Sequence, residues 1–271
     1  MPAGGAGNLL NEPRGGAGPR AAAVRFYAEL NDLLPPAWRQ RTIRYRFSGT
    51  PAVKDAVEAL GVPHTEVELI LVNGVPVGFD HRLHGGERVA VYPVFERFDV
   101  TSLLRLRPVP LREPRFVCDV HLGKLARRLR ILGFDTAWAA DLSDDRIAAL
   151  AAAEGRIVLT RDRGLLKRNT VRRGCWIRST HVREQLREVV QRLDLRGRFR
   201  PFLRCPRCNG EVRPVPAAAV ATLVPPRVRR EQHAFRRCAD CGQVYWSGSH
   251  VARLRREFRE LGAPPAGGEA P

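Results

Sequence analysis

Three aspartates and four cysteines are the residues of this chain whose types and spacing can do chemistry. Asp119 ends the apolar run RFVCD (115–119), Asp162 follows RIVLT (156–160), and Asp144 opens SDDRIAALAAAEG (143–155). Carboxylates that converge in a poorly solvated cleft repel one another unless a hard cation neutralises them, and magnesium or manganese is the natural occupant. Such an ion lowers the pKa of a bound water and steadies a leaving oxygen, which is the chemistry of phosphodiester hydrolysis. The cysteines form two C-x-x-C pairs, Cys205 with Cys208 and Cys238 with Cys241, and each pair is closely followed by a glycine, Gly210 or Gly242. Two such knuckles make a closed, structural four-thiolate zinc site. The gap between the pairs is longer than the usual ribbon range, so the insert VPAAAVATLVPPRV must supply an extra hairpin or helix.

These residues need elements to position them. RFVCD reads as a buried strand feeding the helix HLGKLARRLRILG (121–133), where Leu122, Leu125, Ala126, Leu129 and Leu132 recur at helical spacing and Gly133 is the stop signal. FDTAW (134–138) reads as a second strand, 143–155 as a helix capped by Ser143 or Asp144, and RIVLT as a third strand. A short helix at GLLKR, a strand at CWIRS and an amphipathic helix over 182–195 follow. Alternating strands and helices predict a parallel sheet of four strands, with ligands outside the strands' carboxyl ends. Asp119 and Asp162 emerge on that edge, and Asp144 can reach it. Helix capping is the competing use for Asp119 and Asp144. Lys124, Arg127 and Arg128 follow Asp119, and Arg161 and Arg163 flank Asp162; they are the candidate phosphate contacts, or else a solvated helix face. Cys118 and Cys175 read as core residues.

The rest of the chain divides by composition. Residues 1–20, rich in Gly, Ala and Pro, predict disorder. Residues 22–97 predict an α+β roll with one helix across a mixed sheet and a hairpin at Asn73-Gly74. Residues 98–114, with Pro108, Pro110 and Pro114, read as a linker, 115–200 as the α/β domain, 201–259 as the zinc ribbon and 263–271 as a mobile tail. Lysine plus arginine total 46 against 28 acidic residues, a net charge of +18. That balance points to a polyanion, although GC-rich coding also enriches arginine. No membrane span or apolar signal core is visible, so a cytoplasmic protein is expected, and paired cysteines in a reducing compartment favour zinc over disulfides. His121, two residues past Asp119, either touches substrate or is incidental, His250 reads as structural, and Tyr245 and Trp246 either stack on unpaired bases or pack on the ribbon.

The phrases VNGVPV and LHGGERVAVYPV resemble the β-grasp fold of the molybdopterin synthase small subunit and the thiamine sulfur carrier. Those carriers use a free terminal Gly-Gly, whereas here Gly85 and Gly86 precede the last strand, which argues against sulfur carriage. RFVCDVHLGKLARRLRILGFDTAW, DLSDDRIAALAAAEGRIVLTRDRGLL, CPRCN and CGQVYWSGSH together resemble the Mut-seven carboxyl-terminal RNase family, over about residues 22–259. The resemblance implies an α/β, PIN-like nuclease core behind a ubiquitin-like β-grasp domain, with a zinc ribbon attached. It implies a magnesium- or manganese-dependent ribonuclease acting on RNA, here read as single-stranded. Its motif acids fall on Asp119, on Asp144 of D-x-x-I and on Asp162 of T-R-D. PIN nucleases commonly add a fourth acid where this chain has Arg178 and Ser179, and Asp141 and Asp145 are the possible substitutes. The alternative is a non-catalytic RNA-binding or ribosome-associated zinc-ribbon adaptor.

Overall fold

The computed structural model describes residues 20–93 and 113–262; the expectations for residues 1–19, 98–112 and 263–271 lie outside them. The first layer is built from β1 (Arg20–Phe26), β2 (Thr42–Phe47), α1 (Val53–Ala59), β3 (Leu69–Val72), β4 (Val75–Pro76) and β5 (Arg88–Tyr92). The strands lie in the order β2-β1-β5-β3-β4, with β1 and β5 parallel and the other neighbours antiparallel. This is the β-grasp sheet. Alternation in β1 turns Ala22, Val24 and Phe26 into a core closed by Val53, Ala56 and Val57 of α1. Asn73 and Gly74 both take positive φ, 50° and 84°, the backbone that a two-residue hairpin turn requires.

The second layer is β6 (Phe116–Cys118), α2 (Gly123–Ile131), β7 (Thr136–Ala137), α3 (Asp144–Glu154), β8 (Ile157–Thr160), α4 (Arg163–Leu166), β9 (Gly174–Trp176) and α5 (Val182–Arg192). Its strands are all parallel, in the order β7-β6-β8-β9. Every residue of β6 and β8 is buried, because helices cover both faces. Phe116, Cys118 and Leu159 pack on α2 and α5, whereas Val117 and Val158 pack on α3 and α4. Gly133 closes α2 as expected. Its φ is +100°, and a Cβ there would lie 2.2 Å from the Arg200 carbonyl oxygen, so only glycine fits.

The third layer is an antiparallel ribbon of β10 (Val212–Val215), β11 (Phe235–Cys238) and β12 (Val244–Trp246). The insert before β11 is helical: a 3₁₀ turn at Ala217–Val220 and α6 (Pro226–Glu231) bury Val220 and Val224 against Phe235 and Val244. The last helix, α7 (Ser249–Glu260), leaves the ribbon and returns to the second layer. There Leu254 and Phe258 share a core with Leu129 and Leu186.

The flanking layers meet the parallel sheet at its two edge strands. On β9, the Trp176 N–H donates to Glu66 Oε1 (2.5 Å), and the Trp176 carbonyl accepts from Arg192 (3.1 Å), which also pairs with Glu66. On β7, the Thr136 N–H donates to Asn209 Oδ1 (3.0 Å) and its carbonyl accepts from Arg130 Nε (2.8 Å). No helix among the described residues is long and apolar enough to cross a membrane.

Candidate active site

Asp119 follows the last residue of β6, anchored by its N–H to the Leu159 carbonyl of the neighbouring strand (3.0 Å). Its side chain is buried and caps no helix. Oδ2 accepts instead from Thr160 Oγ1 (2.7 Å), and the same hydroxyl oxygen accepts the Asp162 N–H (2.9 Å). Thr160 therefore ties the two acids together at the carboxyl ends of adjacent strands. Its part was not foreseen from the sequence, although it begins the T-R-D triplet. Asp162 spends Oδ1 on the Gly164 N–H (2.7 Å), capping the short α4. Asp144 is the first residue of α3, whose cap is Ser143 through the Arg146 N–H (3.5 Å), so capping does not occupy Asp144.

Nothing in the sequence marks Arg168. It pairs with the exposed Asp145, a bond that raises its pKa, and the charges of Asp144 and Asp162 raise it further. This guanidinium thus pairs directly with the acid next to Asp144. Asp141 is exposed in the loop after β7. Arg178, at the place of the fourth acid of PIN nucleases, pairs with Asp32 of the β-grasp layer and with Glu188 of α5 (2.9 Å).

Of the five candidate phosphate contacts, Lys124 and Arg127 line one open cleft of about 640 Å³ with His121, Trp138, His181 and Gln185. No carboxylate lines it. Arg128 is held by Glu257 (3.0 Å). Arg161 is exposed, and its carbonyl accepts from Trp176 Nε1 (3.1 Å). Arg163 donates to the Leu33 carbonyl (3.2 Å) and lies 4.0 Å from the centre of the Trp176 ring, so it is engaged by the β-grasp layer and by β9.

An all-carboxylate donor set suits a hard cation. The acids are more spread than the thiols: the four cysteines are the one set of metal-ligating residues, among those described, whose ligand atoms gather within 4.8 Å. That spread is compatible with magnesium, which keeps several waters and takes only one or two carboxylates.

The four cysteines could hold a zinc ion. Cys205 and Cys241 sulfurs lie 3.6 Å apart and Cys208 and Cys238 sulfurs 3.4 Å apart, close to the ~3.8 Å edge of a tetrahedron with Zn–S bonds of about 2.3 Å. The two knuckles share one backbone plan. Asn209 and Gly242 occupy equivalent places at φ 75° and 72°, and their N–H groups bond to the Cys205 and Cys238 carbonyls. Burial opposes ionisation of Cys205, but the Tyr245 hydroxyl at 3.0 Å and nearby backbone N–H groups bring its thiol down to about 7. Burial and the crowd of neighbouring sulfurs hold Cys208 up at about 12. The Cys205 thiolate forms readily, whereas Cys208 and Cys241, both held up first by burial, need a cation. Zinc binding at such sites contributes on the order of 10 kcal/mol to folding. Chelation should therefore melt the ribbon well below the melting temperature of the zinc-loaded protein, as elemental analysis with thermal unfolding would show. Unchanged melting after complete chelation would rule out a structural ion.

Two family models match this chain, the Mut7-C RNAse domain over residues 114–258 and the Mut7-C ubiquitin domain over residues 20–99. The chain belongs to the Mut7-C RNAse domain family, a nuclease class. It is similar to the exonuclease mut-7 homolog of Homo sapiens, 27% identical over 56% of this chain and 26% of that protein, so it spans about a quarter of the relative's length. No solved structure gives a significant match.

Proposed function

We propose that this protein is a magnesium- or manganese-dependent ribonuclease that hydrolyses single-stranded RNA at the carboxyl edge of its parallel sheet. The observation that carries the reading is the Asp119–Thr160–Asp162 arrangement beside a basic cleft free of carboxylates. A bound divalent ion would activate a water and stabilise the leaving oxygen. Asp119, Asp144 and Asp162 would hold it, with Asp141 and Asp145 near enough in sequence to assist through water. Lys124 and Arg127 would grip phosphates and offset developing charge. Arg168 would release its acids to the incoming cation. Residues 115–200 carry the chemistry in this reading, 22–97 brace it, and 201–259 hold zinc and RNA. Six free thiols suit a reducing, cytoplasmic setting. The relative's description as an exonuclease makes removal from an RNA end the first mode to test.

The test is cleavage of an end-labelled single-stranded RNA by wild type and Asp162→Asn, with magnesium or manganese withheld and then restored. Withholding is preferable to chelation, which would also strip the ribbon. Metal-dependent cleavage by wild type alone supports the enzyme. Equal binding with no cleavage by either protein favours a non-catalytic adaptor, with Arg168 as the permanent partner of its acids.

A further inference from the structure

We propose that the ribbon carries a second RNA site, remote from the acidic edge, which takes one unpaired nucleobase and its phosphate. The site is a cavity of about 260 Å³ between the ribbon and α7, walled by Phe202, Tyr245 and Trp246 with Arg204, Arg236 and Arg255 around them. The proposal rests on RNA being the partner, as argued above, and adds where and how a base is gripped.

Two of the three aromatic walls are fixed by separate devices, and the third is left open to solvent. Phe202 sits at φ +66°, a conformation costly for a bulky residue, held there by its N–H bond to the Ile131 carbonyl (2.8 Å). Tyr245 is pinned by its hydroxyl on the Cys205 sulfur. Trp246 belongs to β12 yet keeps 36% of its surface exposed, unusual for so large an apolar group. A cavity lined by three aromatic rings suits a flat, polarisable ligand, and every base has such a face.

The cations add the second half of the ligand. Arg255 lies 5.4 Å from the centre of the Phe202 ring. Arg236 Nε is buried and meets no hydrogen-bond partner among the described residues. A buried N–H left unpaired is costly, and a phosphate or base oxygen in the cavity would satisfy it. Three guanidiniums disfavour a cationic ligand, and three rings disfavour a bare inorganic anion. A nucleotide unit has both faces. Ile131 lines the cavity floor at the far end of α2 from the basic cleft beside Asp119, so a strand bound at both places would run along that helix.

The experiment measures binding of a fluorescein-labelled oligouridine to full-length protein without added magnesium or manganese, so that cleavage and binding are read separately. Trp246→Ala should weaken binding about tenfold, the usual effect of losing one base–aromatic stack, with zinc content unchanged. Trp246→Phe should restore most of it. The dependence on salt should keep its slope in Trp246→Ala and become shallower in Arg236→Gln, since only the latter removes a phosphate contact. A duplex of the same sequence should ignore Trp246. Binding by zinc-loaded Trp246→Ala within twofold of wild type, an equal loss on duplex, or protection of the cavity by a free mononucleotide but not by the oligomer would overturn the proposal. Absence of cleavage alongside these binding effects would count against the nuclease reading alone.

Discussion

Asp119→Asn is expected to slow RNA cleavage by about 10²- to 10³-fold, the range for losing a principal acid–base or metal-holding carboxylate, while RNA binding stays within twofold. The substitution keeps the shape of the side chain, and Thr160 Oγ1 can still donate to its oxygen as it does to Asp119 Oδ2. The charge is lost, and one acceptor oxygen becomes a donor NH2 that cannot ligate a cation. Thr160→Val provides the contrast, since it leaves both carboxylates in place and removes the hydroxyl that binds one acid and one backbone N–H. A positioning role predicts that this variant reaches near-normal rates at raised magnesium, whereas Asp119→Asn does not. If Asp119→Asn kept more than half of the wild-type rate, the acidic edge would not be the seat of hydrolysis.

The second large effect concerns the joint between the β-grasp layer and the parallel sheet. Glu66 and Arg192 are a buried ion pair, with side chains 2% and 11% exposed. Removing one member of such a pair costs about 3–5 kcal/mol, because the other is left charged and dry. Arg192→Leu should lower the urea-unfolding free energy by that amount. It strands Glu66 and frees the Trp176 carbonyl together. Adding Glu66→Leu should recover part of the loss, since no buried charge then remains without a partner. A loss below about 1 kcal/mol for Arg192→Leu would mean that the pair is hydrated and the joint loose.

Local signals carried much of this architecture. The centres of the runs RFVCD and RIVLT, FVC and IVL, are apolar without alternation because their strands are covered on both faces, and Gly133 and the Asn73-Gly74 pair announced backbone that few other residues accept. The expected zinc knuckles follow from cysteine spacing alone. Partnerships set by tertiary approach were not legible. Thr160 meets Asp119 across 41 residues, Asn209 meets Asp135 across 74, and Glu66 meets Trp176 across 110. Asp135 illustrates the point. It reads as a structural residue between strand and turn, and in the fold it accepts from Arg156 and Asn209, each at 2.7 Å, which join the sheet to the ribbon. Arg163 shows the converse: flanking an acid in sequence places it near the site, but its stacking on Trp176 depends on a strand that the sequence could not position.

The two edge strands of the parallel sheet have a consequence for solubility. An outermost strand presents unpaired N–H and C=O groups to any passing chain, and short apolar strands such as these are templates for aggregation. Trp176 and Thr136 each offer one such pair of groups. Both pairs are taken by side chains: a glutamate and an arginine on one edge, an asparagine and an arginine on the other. Glu66 comes from the ubiquitin-like layer and Asn209 from the first cysteine knuckle, so each neighbour stands where a further strand would add. Besides whatever they bind, the flanking layers are the stoppers that keep this four-stranded nuclease sheet from growing into a fibre. Cutting away either one would open an edge to self-association.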